Sequence, residues 1–144
     1  MLTFTEENYL KILLKINLIE PKKHQINSSD VAIKLNVKPA TVNDMLKKLR
    51  EKKLINFEKY GKVTLTIKGR KCALKVLRKH RLWETFLHEK LNFSLDEIHE
   101  VAEQLEHIKS DKLIDKLDDF LGFPKYDPHG EIIPDSMGKL VQLK

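Results

Sequence analysis

Residues 99–107 read HEVAEQLEH, a histidine at each end with three glutamates between them. Earlier in the chain, RKHRLWE (78–84) sets His80 and Glu84 four residues apart, which puts both on one face of a helix. On a helix advancing about 100° per residue, His99, Glu103, Glu106 and His107 share one arc, and Ile98, Val101, Ala102, Leu105 and Ile108 occupy the other side. Two such helices running antiparallel would gather two clusters, His80 with Glu84 and His99, and Glu103 with Glu106 and His107. Imidazole and carboxylate donors without a thiolate suit Mn2+ or Fe2+, and Zn2+ can enter the same sites in vitro. A solvated acidic helix face, on which the histidines only hydrogen-bond to nearby glutamates, is the plainer alternative and stays open. Catalysis is not expected. The metalloprotease spacing HExxH is absent, since the residue four after His99 is Glu103 and four after His80 is Glu84. No Gly-rich phosphate loop or GxSxG elbow is present either, which leaves a metal-dependent hydrolase as the weaker alternative.

The elements that must position these residues can be read from periodicity. Thr5 to Leu18 has an amphipathic pattern, with Leu10, Leu13, Ile12 and Ile16 toward a core. EPKKHQINSSD breaks it, and Ser28 or Ser29 is the expected N-cap of a short helix DVAIKL. NVKP is a turn, and Pro39 suits the first position of the next helix, PATVNDMLKKLREKK, with Val42, Met45, Leu46 and Leu49 apolar. LINFEKY and KVTLT, parted by Gly61, predict a two-stranded hairpin. A long helix is expected from about Ile67 to Leu91, then NFS, then a helix begun by a Ser94–Glu97 capping box and running to about Ile108. DKLIDKLDDFLG predicts a last helix ending at Gly122, and the Pro- and Gly-rich tail beyond it reads as loop.

The predicted fold class is therefore mainly α, a winged helix-turn-helix with a two-stranded wing over residues 1–66, followed by a helical domain over 67–144. In a helix-turn-helix the N-terminal residues of the second helix enter the major groove. Lys38, Pro39, Ala40, Thr41, Asn43 and Asp44 form that face here; Thr41 and Asn43 can read base edges, while Lys47, Lys48, Lys59 and Lys62 are placed to hold phosphates.

Charge divides along the same line. Residues 1–71 hold 16 Lys and Arg against 7 Asp and Glu, whereas residues 72–144 hold 11 against 14 and carry five of the six histidines. A basic first half suits a polyanion, because neutralising phosphates releases counterions. Cys72 is the only cysteine, so neither an internal disulfide nor a zinc-finger ligand set can form. The N-terminus lacks a signal-peptide pattern, and no apolar run approaches the roughly 20 residues of a membrane span, which predicts a cytoplasmic protein without a membrane partner.

VAIKLNVKPATVNDMLKKL, VTLTIKGRK, RKHRLWETFL, HEVAEQLEH and DPHG occur in the order found in metal-dependent repressors of the DtxR/MntR class. The chain resembles that class over nearly its whole length. The resemblance implies a homodimer, held by the C-terminal half, that binds palindromic operator DNA and represses metal-uptake genes when loaded with Fe2+ or Mn2+. It implies that His80, Glu84 and His99 match the ancillary site of iron-responsive members, and Glu106 and His107 the shared primary site. Glu103 stands where iron-type members have cysteine and manganese-type members glutamate. Asn8 replaces the methionine or aspartate of the two types but still offers an amide oxygen, and Lys11 replaces a glutamate of the manganese type. Many iron-type members carry a further SH3-like domain for which these 144 residues leave no room, as in a two-domain member or a portion of a longer chain. A winged-helix regulator of a non-metal ligand is the competing expectation.

Overall fold

The computed structural model describes residues 2–19, 26–58 and 61–140. They form two compact units, Met1–Ala73 and Leu74–Lys144.

In the first unit, α1 (Phe4–Ile19) opens on a reciprocal cap, with Thr3 Oγ1 accepting from Glu6 N at 3.1 Å and Glu6 Oε1 accepting from Thr3 N at 2.9 Å. The same carboxylate meets Lys52 Nζ at 2.7 Å. Leu10, Leu13, Leu14 and Ile16 are buried, so the expected stripe takes in Leu14, whereas Ile12 is only half-buried. Next come β1 (Ile26–Asn27), α2 (Ser28–Leu35) and α3 (Pro39–Glu51). The N-cap of α2 is Asn27, not Ser28 or Ser29. Asn27 is also a strand residue paired with Lys62, and pairing holds it at φ −96°, ψ 152°, the extended geometry an N-cap needs. Asn27 N donates to Asp30 Oδ2 at 3.0 Å. Pro39 takes the first turn of α3, as its fixed φ favours.

The expected hairpin is present as β2 (Ile55–Phe57) and β3 (Lys62–Leu65), but it is part of a three-stranded antiparallel sheet ordered β1-β3-β2. Val63 pairs with Phe57 on one side and Ile26 on the other. A strand of two residues shows no alternation, so β1 left no trace in the pattern.

The long helix α4 (Ile67–Leu91) has the predicted bounds, and Thr66 Oγ1 accepts from Gly69 N at 3.0 Å in its first turn. Gly69 is dictated by crowding: a Cβ there would lie inside the van der Waals envelope of the Leu54 carbonyl oxygen.

The second unit begins within α4. The chain reverses at Asn92, whose φ of 59° lies in the left-handed region. Ser94 and Glu97 form the expected capping box of α5 (Leu95–Leu105). That helix stops three residues short of Ile108, because Ile108 N bonds back only three residues, to Leu105 O at 3.2 Å. Glu106 is thus the C-cap and His107 lies in the following turn. Ser110 then caps α6 (Asp111–Phe120). Leu82, Trp83, Ala102, Ile114, Leu117 and Ile133 form the core of this unit. The described part of the tail, to Leu140, is loop, as expected, but well tied. Asp127 Oδ1 accepts from His129 N and Glu131 N, both at 2.9 Å, and Arg81 donates to Glu131 Oε2 at 2.6 Å and to Ile132 O.

Candidate metal centre and nucleic-acid interface

The centre is built on one turn of α4. His80 and Glu84 are both buried, and Nε2 of the imidazole lies 3.3 Å from Glu84 Oε1. From α5, His99 brings Nδ1 to 3.9 Å from Glu84 Oε2 and sets its ring edge-on to His80, centroids 4.9 Å apart. One donor atom from each of His80, Glu84 and His99 falls within 4.8 Å of the other two. The three residues grouped from helical spacing therefore meet.

The other expected cluster is joined to the first. Glu106 is fully buried and its Oε1 lies 2.8 Å from His80 Nδ1. Half-exposed Glu103 contacts His99 Nε2 at 2.9 Å, and His107 is buried. A uniformly solvated acidic face is thus not what forms: Glu106 and His107 are buried, while His99 and Glu103 on the same arc are exposed. Asn8 is half-buried on α1, in the first unit.

Asp127 and His129 were not among the expected ligands. Glu84, Asp127 and His129 also each place a donor atom within 4.8 Å of the other two, with His129 Nδ1 3.6 Å from Glu84 Oε2. The signal was DPHG: an aspartate that caps its own turn carries a histidine two residues on. A tail read as loop offered no reason to fold it back onto α4.

Two buried oxygens, Glu84 Oε2 and Asp127 Oδ2, take no hydrogen bond from an N–H group. Burial pushes the Glu84 carboxyl up, but the hydrogen bond and charge of His80, with a hydrogen bond to Asp127 and the charge of His129, hold the group below its ordinary value. Asp127 is pushed up, by burial first and then by the charges of Glu84 and Glu131 and its hydrogen bond with Glu84, against the hydrogen bond from the Glu131 backbone. Carboxylate oxygens at this depth without an N–H donor, flanked by imidazoles, fit a divalent cation. Cys72 belongs to the first unit and to neither donor group.

On α3, Val42, Leu46 and Leu49 are buried, while Lys38, Pro39, Ala40, Thr41, Asp44, Lys47 and Lys48 are exposed. Asn43 is half-buried, as is Lys62 on β3. Lys59 lies outside the described residues. No helix among the described residues is long and apolar enough to cross a membrane.

Residues 1–63 match the N-terminal DNA-binding domain of iron-dependent repressors, and residues 66–135 match their metal-binding and dimerisation domain. A probable metal transport system membrane protein of Chlamydia trachomatis is 45% identical over 71 residues, 49% of this chain and 16% of its own length. The HTH-type transcriptional regulator MntR of Oceanobacillus iheyensis is 34% identical over 127 residues, 88% of this chain and 84% of the relative. The solved manganese regulator SloR superimposes with a TM-score of 0.82 at 41% identity, covering 95% of this chain and 62% of that one.

Proposed function

The chain belongs to the iron-dependent repressor family, and we propose that it is a cytoplasmic transcriptional repressor without enzymatic activity. In this reading it binds a palindromic operator of metal-uptake genes as a homodimer when it holds Fe2+ or Mn2+. Residues 1–66 serve as the DNA-binding domain and residues 67–144 as the dimerisation and metal-binding domain. The observation that carries the reading is the buried Glu84 carboxylate, on which two donor groups converge, His80 with His99 and Asp127 with His129.

His80, Glu84 and His99 would hold one ion, with Asp127 and His129 as further donors around Glu84; Glu103, Glu106 and His107 would contribute to the other. A bound divalent ion supplies the positive charge that these clustered carboxylates otherwise lack. The remaining work falls to the chain. Imidazole and carboxylate donors select first-row divalent metals, and with no thiolate among them Zn2+ competes in vitro rather than being excluded. On the recognition helix, Thr41 and Asn43 read base edges while Lys47 and Lys48 hold phosphates. In the dimer two such helices engage half-sites about one turn of DNA apart, roughly 34 Å.

Occupancy changes operator affinity only through a difference in ion affinity between the DNA-competent arrangement and the others. A coupling of about 1–3 kcal/mol corresponds to about 5- to 150-fold tighter binding. The test is fluorescence anisotropy under anaerobic conditions on metal-uptake promoter DNA with chelator, Mn2+ or Fe2+. Tightening within that range with either ion is expected, together with its loss in Glu84→Ala. Equal affinity in all three conditions would sink the proposal.

A further inference from the structure

The imidazole of His80 is held at both ends. Nε2 faces Glu84 Oε1 at 3.3 Å and Nδ1 lies 2.8 Å from Glu106 Oε1. The three side chains are at most 4% exposed, and the ring is further braced edge-on against His99. Glu84 belongs to one ligand group and Glu106 to the other, so this one ring spans the two.

An imidazole that ligates a cation is neutral and carries one proton and one lone pair, on opposite nitrogens. In the metal-free ring both nitrogens face carboxylate oxygens; with a cation at Nε2, the remaining proton would sit on Nδ1, where Glu106 Oε1 accepts it. Nε2 is the nitrogen toward Glu84, on the side where the donor atoms of His80, Glu84 and His99 converge. Without that acceptor, the proton could sit on Nε2 and block coordination. We infer that Glu106 is a positioning residue for His80, fixing its tautomer and ring orientation for the neighbouring ion site, in addition to its part in its own group. The inference rests on reading His80, Glu84 and His99 as a cation site. It makes the two groups interdependent, because one carboxylate serves both.

The experiment uses the full chain and two probes. Co2+ titration, followed by visible absorption, compares wild type with Glu106→Leu, Glu106→Gln and His88→Ala. His88 stands on the same helix as His80 but belongs to neither donor group. The His80 site should therefore keep its affinity in His88→Ala and weaken by about 10- to 100-fold in Glu106→Leu, the usual cost of losing a carboxylate behind a ligating histidine. Glu106→Gln, whose amide oxygen can accept the same proton, should recover most of that loss. Wild-type affinity in Glu106→Leu, or no recovery in Glu106→Gln, would overturn the inference. Histidine ring 15N shifts of the Zn2+-loaded wild type decide the matter even if Glu106→Leu does not fold. His80 protonated at Nδ1 and ligated at Nε2 supports the inference; the reverse tautomer overturns it. Co2+ uptake left unchanged by His80→Ala and by Glu84→Ala would instead remove the metal site itself, an outcome distinct from loss of the Glu106 effect.

Discussion

Glu84 shows how much of the chemistry depends on single atoms. Its Oε1 faces His80, and its Oε2 lies between His99 and His129 with no N–H donor. Asp127 divides its labour in the same way, with Oδ1 closing the turn to His129 and Glu131 and Oδ2 buried beside Glu84. Asp127→Asn separates these tasks. The amide oxygen can still accept both turn hydrogen bonds, while the new NH2 group can donate to Glu84 Oε2. The metal-free protein should consequently gain about 0.5–1.5 kcal/mol, seen as a higher Tm. Divalent-ion affinity should fall by about tenfold or more in calorimetric titration, since a charged donor is lost. A lower Tm with unchanged affinity would mean that Asp127 serves only the loop. His80 and Glu84 could be paired from their spacing because a helix repeats at four residues. Asp127 could not, because its approach to α4 depends on how the tail folds back.

At the scale of elements, two devices carry the first unit. The recognition helix exposes Thr41, Asp44 and Lys48 on one side and buries Val42, Leu46 and Leu49 on the other. Lys48→Ala should weaken operator binding evenly across sequences and reduce the salt slope by about one, whereas Thr41→Ala should cost about 1–3 kcal/mol at one base-pair position. Anisotropy titrations at several salt concentrations on matched and mutated operators distinguish the two, and identical behaviour of both variants would remove Thr41 from base reading. The second device is the start of α4 against the end of α3. Thr66 accepts from Gly69 N, donates to Lys53 O and offers its own N–H to Leu54 O, which brings the backbone of Gly69 against that carbonyl. Gly69→Ala should destabilise the unit by about 1–3 kcal/mol, the range for forcing a methyl group into a packed site. Chemical denaturation followed by circular dichroism measures it, and no loss would show that the contact can relax. The helices themselves were legible because caps and periodicity are local: Pro39, Ser94 and Glu97 mark their starts. The N-cap of α2 was misplaced because a non-local pairing of Asn27 with Lys62 set its backbone.

In the molecule as a whole, a basic unit with an exposed recognition helix and an acidic, histidine-rich unit share one long helix, α4, which runs from Ile67 to Leu91. The sequence by itself determined that division of charge, the helix-turn-helix with its wing and the grouping of His80 with Glu84 and His99. Each depends on composition or on contacts between residues close along the chain or on neighbouring helices. It also determined membership of a repressor family, through stretches spread over almost the full length. Only the tertiary structure decided which of the acidic side chains are taken out of water. Glu106 and His107 shared by periodicity one arc with His99 and Glu103, yet the first two are buried and the other two exposed. Only the tertiary structure could add β1 to the wing and bring Asp127 and His129 to Glu84. The same holds for His80 set between Glu84 and Glu106. The physical reason is common to these cases: helical periodicity records direction about a local axis, whereas burial and ligand convergence depend on where distant segments meet.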